Sequence, residues 1–179
     1  MGPYGHRMAT FQDLETNAPE IAAFIRGRID ATGLCLVGTT RRDGWPRVSA
    51  WELFLLNDLV YVGSMPNAVK VRDLRRDPRC CLFTPVADKD DLAGEGKLFC
   101  QAREINTENE HEEVRRGFEA LRGFDMGEFG GGHVLEMAIH GAAWQRLVGD
   151  EWRTTSWREG GAVRERSRTG PLGESVDLW

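Results

Sequence analysis

The run Val62-Gly63-Ser64-Met65-Pro66-Asn67-Ala68-Val69-Lys70 holds the side chains best placed for chemistry in this chain of 179 residues. An apolar strand ends, a hydroxyl residue follows, and a helix begins at Asn67. Helix starts expose unpaired N–H groups and a partial positive charge, which suit an anion. Ser64 adds a hydroxyl, and Lys70 adds an ammonium about one turn in. Together they read as a phosphate cradle; the competing reading is a lysine that is simply solvated. Lysine is scarce here. Of 23 basic residues, only Lys70, Lys89 and Lys97 are lysines, and the rest are arginines. The arginine, alanine and glycine bias is that of a GC-rich genome.

Arg47-Val48-Ser49-Ala50-Trp51-Glu52 is the second candidate. Arg47, Ser49 and Trp51 share one face of a strand. Small residues among apolar ones let a planar ring lie along a strand; the competing reading is a half-exposed sheet face.

Other chemistries lack their signatures. His6 lies near the start, and His111 sits in a charged helical stretch. His133 and His140 are seven apart and face opposite ways on one strand. No H-E-x-x-H or related spacing occurs, so no metal is expected. No G-x-S-x-G elbow occurs either. The four cysteines, Cys35, Cys80, Cys81 and Cys100, lack C-x-x-C spacing and sit in apolar runs. They read as buried thiols in a reducing, cytoplasmic setting. Gly127 to Gly132 leads into a strand rather than a helix, so it reads as a connector.

Hydrophobic residues make up 41% and charged residues 28%, which suits a globular domain and excludes a disordered chain. The length fits one domain. A net charge of −5 repels a phosphate backbone on average, so nucleic acid is not the expected partner. No apolar run is long enough for a membrane helix, and no membrane partner is expected. Residues 1–9 read as a leader or cloning scar, with Met8 as a second start. Residues 10–166 form the domain, and 167–179 a polar tail.

The elements that must position these residues follow from period and punctuation. Thr10 caps a first turn, with Asp13 three residues on. Pro19 opens a helix with Ile21, Phe24, Ile25 and Ile29 at helical spacing, ended by Gly33. Leu34 to Gly38, Pro46 to Leu56 and Leu59 to Gly63 read as a strand meander, turned at Asp43-Gly44 and Asn57-Asp58. Asn67 caps a short helix with Val71 and Leu74 that stops near Asp77-Pro78. Strands follow over Cys80 to Val86 and Leu98 to Ile105, around a polar loop from Ala87 to Glu95. Thr107 caps a helix through about Leu121, with Val114, Phe118 and Leu121 on one face. Val134 to Val148 is a long strand bent at Gly141. Trp152 to Trp157 and a run from Val163 complete the set. Trp144, Trp152 and Trp157 read as barrel core or subunit interface. Six to eight strands, three helices and no βαβ alternation give a mainly β fold, a small closed barrel with peripheral helices.

The block VGTTRRDGWPRVSAWELFLLNDLVYVGSMPNAVKVRDLRRDPRCCLF resembles the pyridoxamine 5'-phosphate oxidase-like superfamily of flavin-binding split β-barrels, in particular its flavin/deazaflavin oxidoreductase branch. The D-G-x-P turn and the run K-x-R-D-L-R-R-D-P-R carry the resemblance. GKLFCQAREI and EWRTTSWREGGAVRER fit the same layout more loosely. The resemblance implies a homodimer with two cofactor sites at the subunit interface. It places Lys70 on the cofactor phosphate, with Arg72 or Arg75, and Ser64 and Met65 on the same rim. Val48, Ser49 and Ala50 would lie against the ring of FMN or the deazaflavin coenzyme F-420.

The chain also departs from that pattern. The strand that reads R-x-V-L-L-K in pyridoxamine phosphate oxidases is Ser49-Ala50-Trp51-Glu52-Leu53-Phe54 here. Their S-R-K is Ala68-Val69-Lys70. Vitamin B6 oxidation is therefore not the expected activity. The expectation is an FMN- or F-420-dependent oxidoreductase that moves a hydride to or from a small conjugated molecule, stacked near Trp51. The alternative is a non-enzymatic flavin- or haem-binding barrel, with His133 or His140 as the axial ligand.

Overall fold

The computed structural model describes residues 9–84, 88, 93–123 and 132–169. Eight antiparallel strands form one sheet: β1 (Leu34–Thr40), β2 (Pro46–Leu56), β3 (Leu59–Ser64), β4 (Arg79–Thr84), β5 (Glu95–Glu104), β6 (His133–Val148), β7 (Glu151–Arg158) and β8 (Arg164–Thr169). Their order is β3-β2-β1-β4-β5-β6-β7-β8, and an added β3–β6 pairing joins the first strand to the sixth. Six strands thus close a barrel, which removes its edges. β7 and β8 extend beyond the closure. Four helices complete the fold: α1 (Phe11–Asn17), α2 (Pro19–Thr32), α3 (Val69–Arg76) and α4 (Glu108–Arg122). The first turn at Thr10 is therefore a full helix. The Thr10 hydroxyl accepts from the Asp13 N–H while the Asp13 carboxylate accepts from the Thr10 N–H, a reciprocal cap. Phe11 and Leu14 are buried in the core behind it.

Alternation places the inward set. Cys35 and Val37 of β1, Trp51 and Leu53 of β2, Val60 and Val62 of β3, and Leu135, Met137 and Ile139 of β6 fill the interior with Ile21, Ile25 and Ile29 of α2. Gly33, at φ +65°, ends α2 in the left-handed region and its N–H bonds the Ile29 carbonyl. A second cluster lies outside the barrel, where Val114 and Phe118 of α4 cover Phe54, Tyr61 and Val134. Leu121, expected on that face, is exposed instead. The helix reaches the sheet with its middle turns, and its last turn runs past the strands.

Two strands differ from the sequence reading by more than an end residue or two. β5 begins at Glu95, not Leu98, because Gly96 pairs with Thr84 and Trp144 on either side and lengthens the ladder. In β6, Phe99 pairs with Gly141 and Cys100 with Ile139, so His140 is an extra residue in a bulge. Met137 and Ile139 point inward before it, and Ala142 after it. Pro85 to Ala87, most of the acidic loop, Lys89, Gly127 to Gly131 and the tail beyond Thr169 lie outside the described residues.

Candidate cofactor site

β2 is eleven residues long, but β3 pairs only with its second half, from Leu53↔Val62 to Leu56↔Leu59. From Pro46 to Glu52 its only strand partner among the described residues is β1. The other edge of that half opens towards α3. Lys70, in the first turn of α3, fills part of this gap. Its Nζ donates to the Ala50 carbonyl at 3.2 Å and lies 4.4 Å from the centre of the Trp51 ring.

Three donors with unused capacity gather here. Trp51 and Ser64 each stand two residues beyond the last β2–β3 pair, Leu53↔Val62, on the inward face of their strands. The Trp51 Nε1 and the Ser64 Oγ are buried with no hydrogen-bond partner among the described residues. Lys70 is half-buried and has no carboxylate partner among them. Burial pushes the pKa of Lys70 below the ordinary lysine value, with the nearby Cys35 thiol opposing. The same surroundings push Cys35 up to about 12, through burial first and against Lys70. Unpaired buried donors are costly. The Lys70 ammonium and the Trp51 Nε1 only donate, and the Ser64 hydroxyl can donate as well as accept, a set that suits an anion.

The remaining candidates divide between two faces of β2. Val48, 66% exposed, and Ala50 point outward; Ser49 points inward and is half-buried. Met65, 78% exposed, stands on the turn before α3, where the Ala68 N–H bonds the Met65 carbonyl. Asn67 does not cap α3. The cap position is Ala68, which offers no side-chain bond, and Asn67 takes the left-handed region at φ +62° within the turn. No side chain therefore caps the start of the helix. Trp51 is 3% exposed and Lys70 covers its ring, so it offers no platform for a stacked acceptor.

Arg72 does not join Lys70. Two residues turn a helix by roughly 200°, and Arg72 lies with Val69, Asp73 and Arg76 along the other side of α3. Arg75 is committed to Glu104 through two hydrogen bonds of 2.6 and 2.7 Å. Sequence reasoning also missed the group that Arg72 does join: Arg41, Arg42, Arg47 and Arg76, gathered around Asp73. The two arginine-rich runs are visible in the sequence, but only the packing of α3 against the β1–β2 hairpin shows that they meet.

Of the two histidines, His133 is tied by Nδ1 to Glu104 at 2.8 Å. His140 instead borders an open cavity of about 560 Å³ on the outer sheet face, with Cys81, Phe99 and Gln101. No group of three or more metal-ligating side chains occurs among the described residues. No helix among them is long and apolar enough to cross a membrane.

No family model matches the sequence, and no curated protein matches it significantly. Solved structures do. ChuZ of Campylobacter jejuni superposes with a TM-score of 0.66 at 11% identity, over 91% of this chain and 68% of that one. A Clostridium acetobutylicum protein related to general stress protein 26, of the pyridoxinephosphate oxidase family, gives 0.58 at 12% identity, over 77% and 95%. A haem-binding protein of Mycobacterium smegmatis gives 0.54 at 20% identity, over 83% of this chain and 57% of its own length. The closed six-stranded barrel, its flanking helices and these superpositions together give this chain the fold of the pyridoxamine 5'-phosphate oxidase-like split barrels.

Proposed function

We propose that the chain is an oxidoreductase that holds a phosphorylated flavin, FMN, or the deazaflavin coenzyme F-420 along the open edge of β2. The observation that carries this reading is the set of Lys70, Trp51 and Ser64 beside that edge, in which the Trp51 Nε1 and Ser64 Oγ are buried without hydrogen-bond partners among the described residues. Lys70 and Ser64 would take the phosphate, with Met65 on the rim. Val48, Ser49 and Ala50 would lie along the ring. When bound, the cofactor supplies the hydride chemistry. The chain's own part is to anchor the phosphate, to offer an edge of strand backbone to the ring, and to limit water.

The substrate in this reading is a small conjugated molecule and not pyridoxamine phosphate. The ring-facing strand carries Ser49 and Phe54 where a B6 oxidase would keep basic residues, and a dianionic substrate would meet the exposed carboxylate of Glu52 nearby. The reading includes a homodimer. Leu34 and Val48 are exposed and Leu36, Phe83 and Phe99 half-buried on the outer sheet face, an apolar surface that a second copy would cover.

A haem-binding role is the second reading, favoured by His140 beside its outer-face cavity and by the fold shared with a haem-binding protein. Absorbance after reconstitution separates the two: about 450 nm for FMN, about 420 nm for a deazaflavin, and about 400 nm for haem. Saturable FMN or F-420 binding that Lys70→Ala weakens supports the first reading. Haem uptake lost in His140→Ala, without flavin affinity, replaces it with the second.

A further inference from the structure

We infer that a second anion site, separate from the Lys70 cluster, lies between the β1–β2 hairpin and α3 and takes a multivalent oxyanion, a compact polyphosphate or polycarboxylate. An open cavity of about 650 Å³ there is lined by Arg41, Arg42, Arg47, Arg72 and Arg76, with Asp43 and Asp73. Five guanidinium groups face two carboxylates in a chain whose net charge is −5.

The cluster is built in two layers. Asp73 is 4% exposed and accepts from Arg47 Nε at 2.6 Å, from Arg76 at 3.5 Å and from the Thr39 hydroxyl at 3.3 Å. Burial pushes its carboxyl pKa up, but the bonds and charges of Arg47 and then Arg76 outweigh this and hold it below its ordinary value. The carboxylate therefore stays ionised and fixes two arginines. Arg76 is further held by the Thr40 carbonyl, and Arg41 by Asp43 at 2.7 Å. Arg47 spends only Nε on Asp73, so its terminal nitrogens keep their donors. The side chains of Arg42 and Arg72 have no ion-pair or hydrogen-bond partner among the described residues.

Like charges at this density repel unless an anion sits among them. Guanidinium forks match carboxylate and phosphate oxygens in pairs. One monovalent anion leaves most of these donors unused, whereas a ligand with three or more anionic groups engages several arginines at once. The backbone fixes the register of the arrangement. Thr39 pairs with Arg47 across the hairpin, and positions 69, 72, 73 and 76 are one face of α3.

The test uses the full-length chain and isothermal titration calorimetry with three probes: inorganic phosphate, inorganic tripolyphosphate and tetraglutamate. The expected result is saturable one-to-one binding of a multivalent probe, at least tenfold tighter than phosphate. Tripolyphosphate as the tighter probe assigns a polyphosphate, and tetraglutamate as the tighter probe a polycarboxylate. Arg42→Gln and Arg72→Gln remove unpartnered, exposed groups, so folding is preserved; each should weaken binding roughly tenfold. Arg116→Gln, an exposed arginine of α4, should change it less than twofold. Lys70→Met should leave multivalent binding in place even if flavin binding fails, which separates this site from the proposed cofactor site. No saturable binding, equal losses in Arg116→Gln and Arg72→Gln, or loss in Lys70→Met would overturn the inference.

Discussion

Replacing Lys70 by Met keeps most of the stem that packs on Trp51 and removes the ammonium. The charge makes one hydrogen bond of 3.2 Å to a carbonyl and one ring contact at 4.4 Å, and it has no carboxylate partner among the described residues. A ring contact of this kind is worth about 0.5–1 kcal/mol, and partial burial of the ammonium offsets it. Stability should therefore change by less than about 1 kcal/mol. Binding should change more, because a hydrogen bond to a charged group contributes about 1.5–3 kcal/mol, or roughly a 10- to 150-fold rise in Kd. Flavin fluorescence titrations with FMN and with riboflavin isolate the phosphate. Lys70→Met should lose affinity for FMN and keep its affinity for riboflavin, and the FMN gap should narrow as salt rises. Stability adds a sign test. Burial lowers the folded-state pKa of Lys70 below 10.5, so in that window the unfolded chain binds more protons and the parent gains stability as pH rises. The variant lacks this gain, so the difference must move in the parent's favour as pH climbs to 10.5. Equal losses for FMN and riboflavin, or no loss for FMN, would refute the phosphate role.

Asp73→Asn should destabilise by about 1.5–3 kcal/mol at pH 7. Its folded pKa lies below 3.8, so the parent's advantage should persist above about pH 4 and fade as pH falls through the folded value; urea melts against pH check this. Gly94→Ala should cost about 3 kcal/mol or more, because Gly94 sits at φ +89° and an added Cβ would lie 1.8 Å from the Gln145 carbonyl oxygen; an unchanged melting temperature would contradict it. Light scattering at micromolar concentration should find a homodimer, with an interface above about 2,000 Å², and Phe99→Arg on the outer sheet face should yield monomers. Burial raises the pKa of all four thiols, Cys35 and Cys80 to about 12, so iodoacetamide at pH 8 should label the native chain far more slowly than the unfolded one.

The barrel was legible because its strands are punctuated by strong turns and because alternation is kept along most of them. Asn57 and Asp58 both take positive φ, as an Asn-Asp hairpin turn requires. Gly33 and Thr107 bound their helices as their types suggest. Asn67 is ambiguous in sequence because asparagine favours both a helix cap and the left-handed region, and only the backbone shows which it adopts. Trp51 reads as a platform because Val48, Ala50 and Trp51 are all apolar, so composition alone does not reveal which of them faces inward. The arginine cavity was illegible for a different reason. Its two halves lie about thirty residues apart in sequence, and each half alone resembles an ordinary solvated turn or helix face. Their meeting depends on where α3 packs, a tertiary fact with no local signature.

The seam between β3 and β6 has a kinetic consequence. Val60 pairs with Met137, so closing the barrel joins strands separated by 77 positions. Neighbouring pairs such as β2 with β3 close over a two-residue turn. Contacts so distant in sequence are slow to form, since loop entropy is lost before they contribute. The meander β1–β3 should therefore assemble first and the seam last. Ser64, at the end of β3, pairs with His133 in that seam and leads directly into the turn that carries Met65 and Lys70. The anion-complementary cluster is thus a late product of folding. In a stopped-flow refolding experiment, phosphorylated-ligand binding should lag behind the appearance of strand structure.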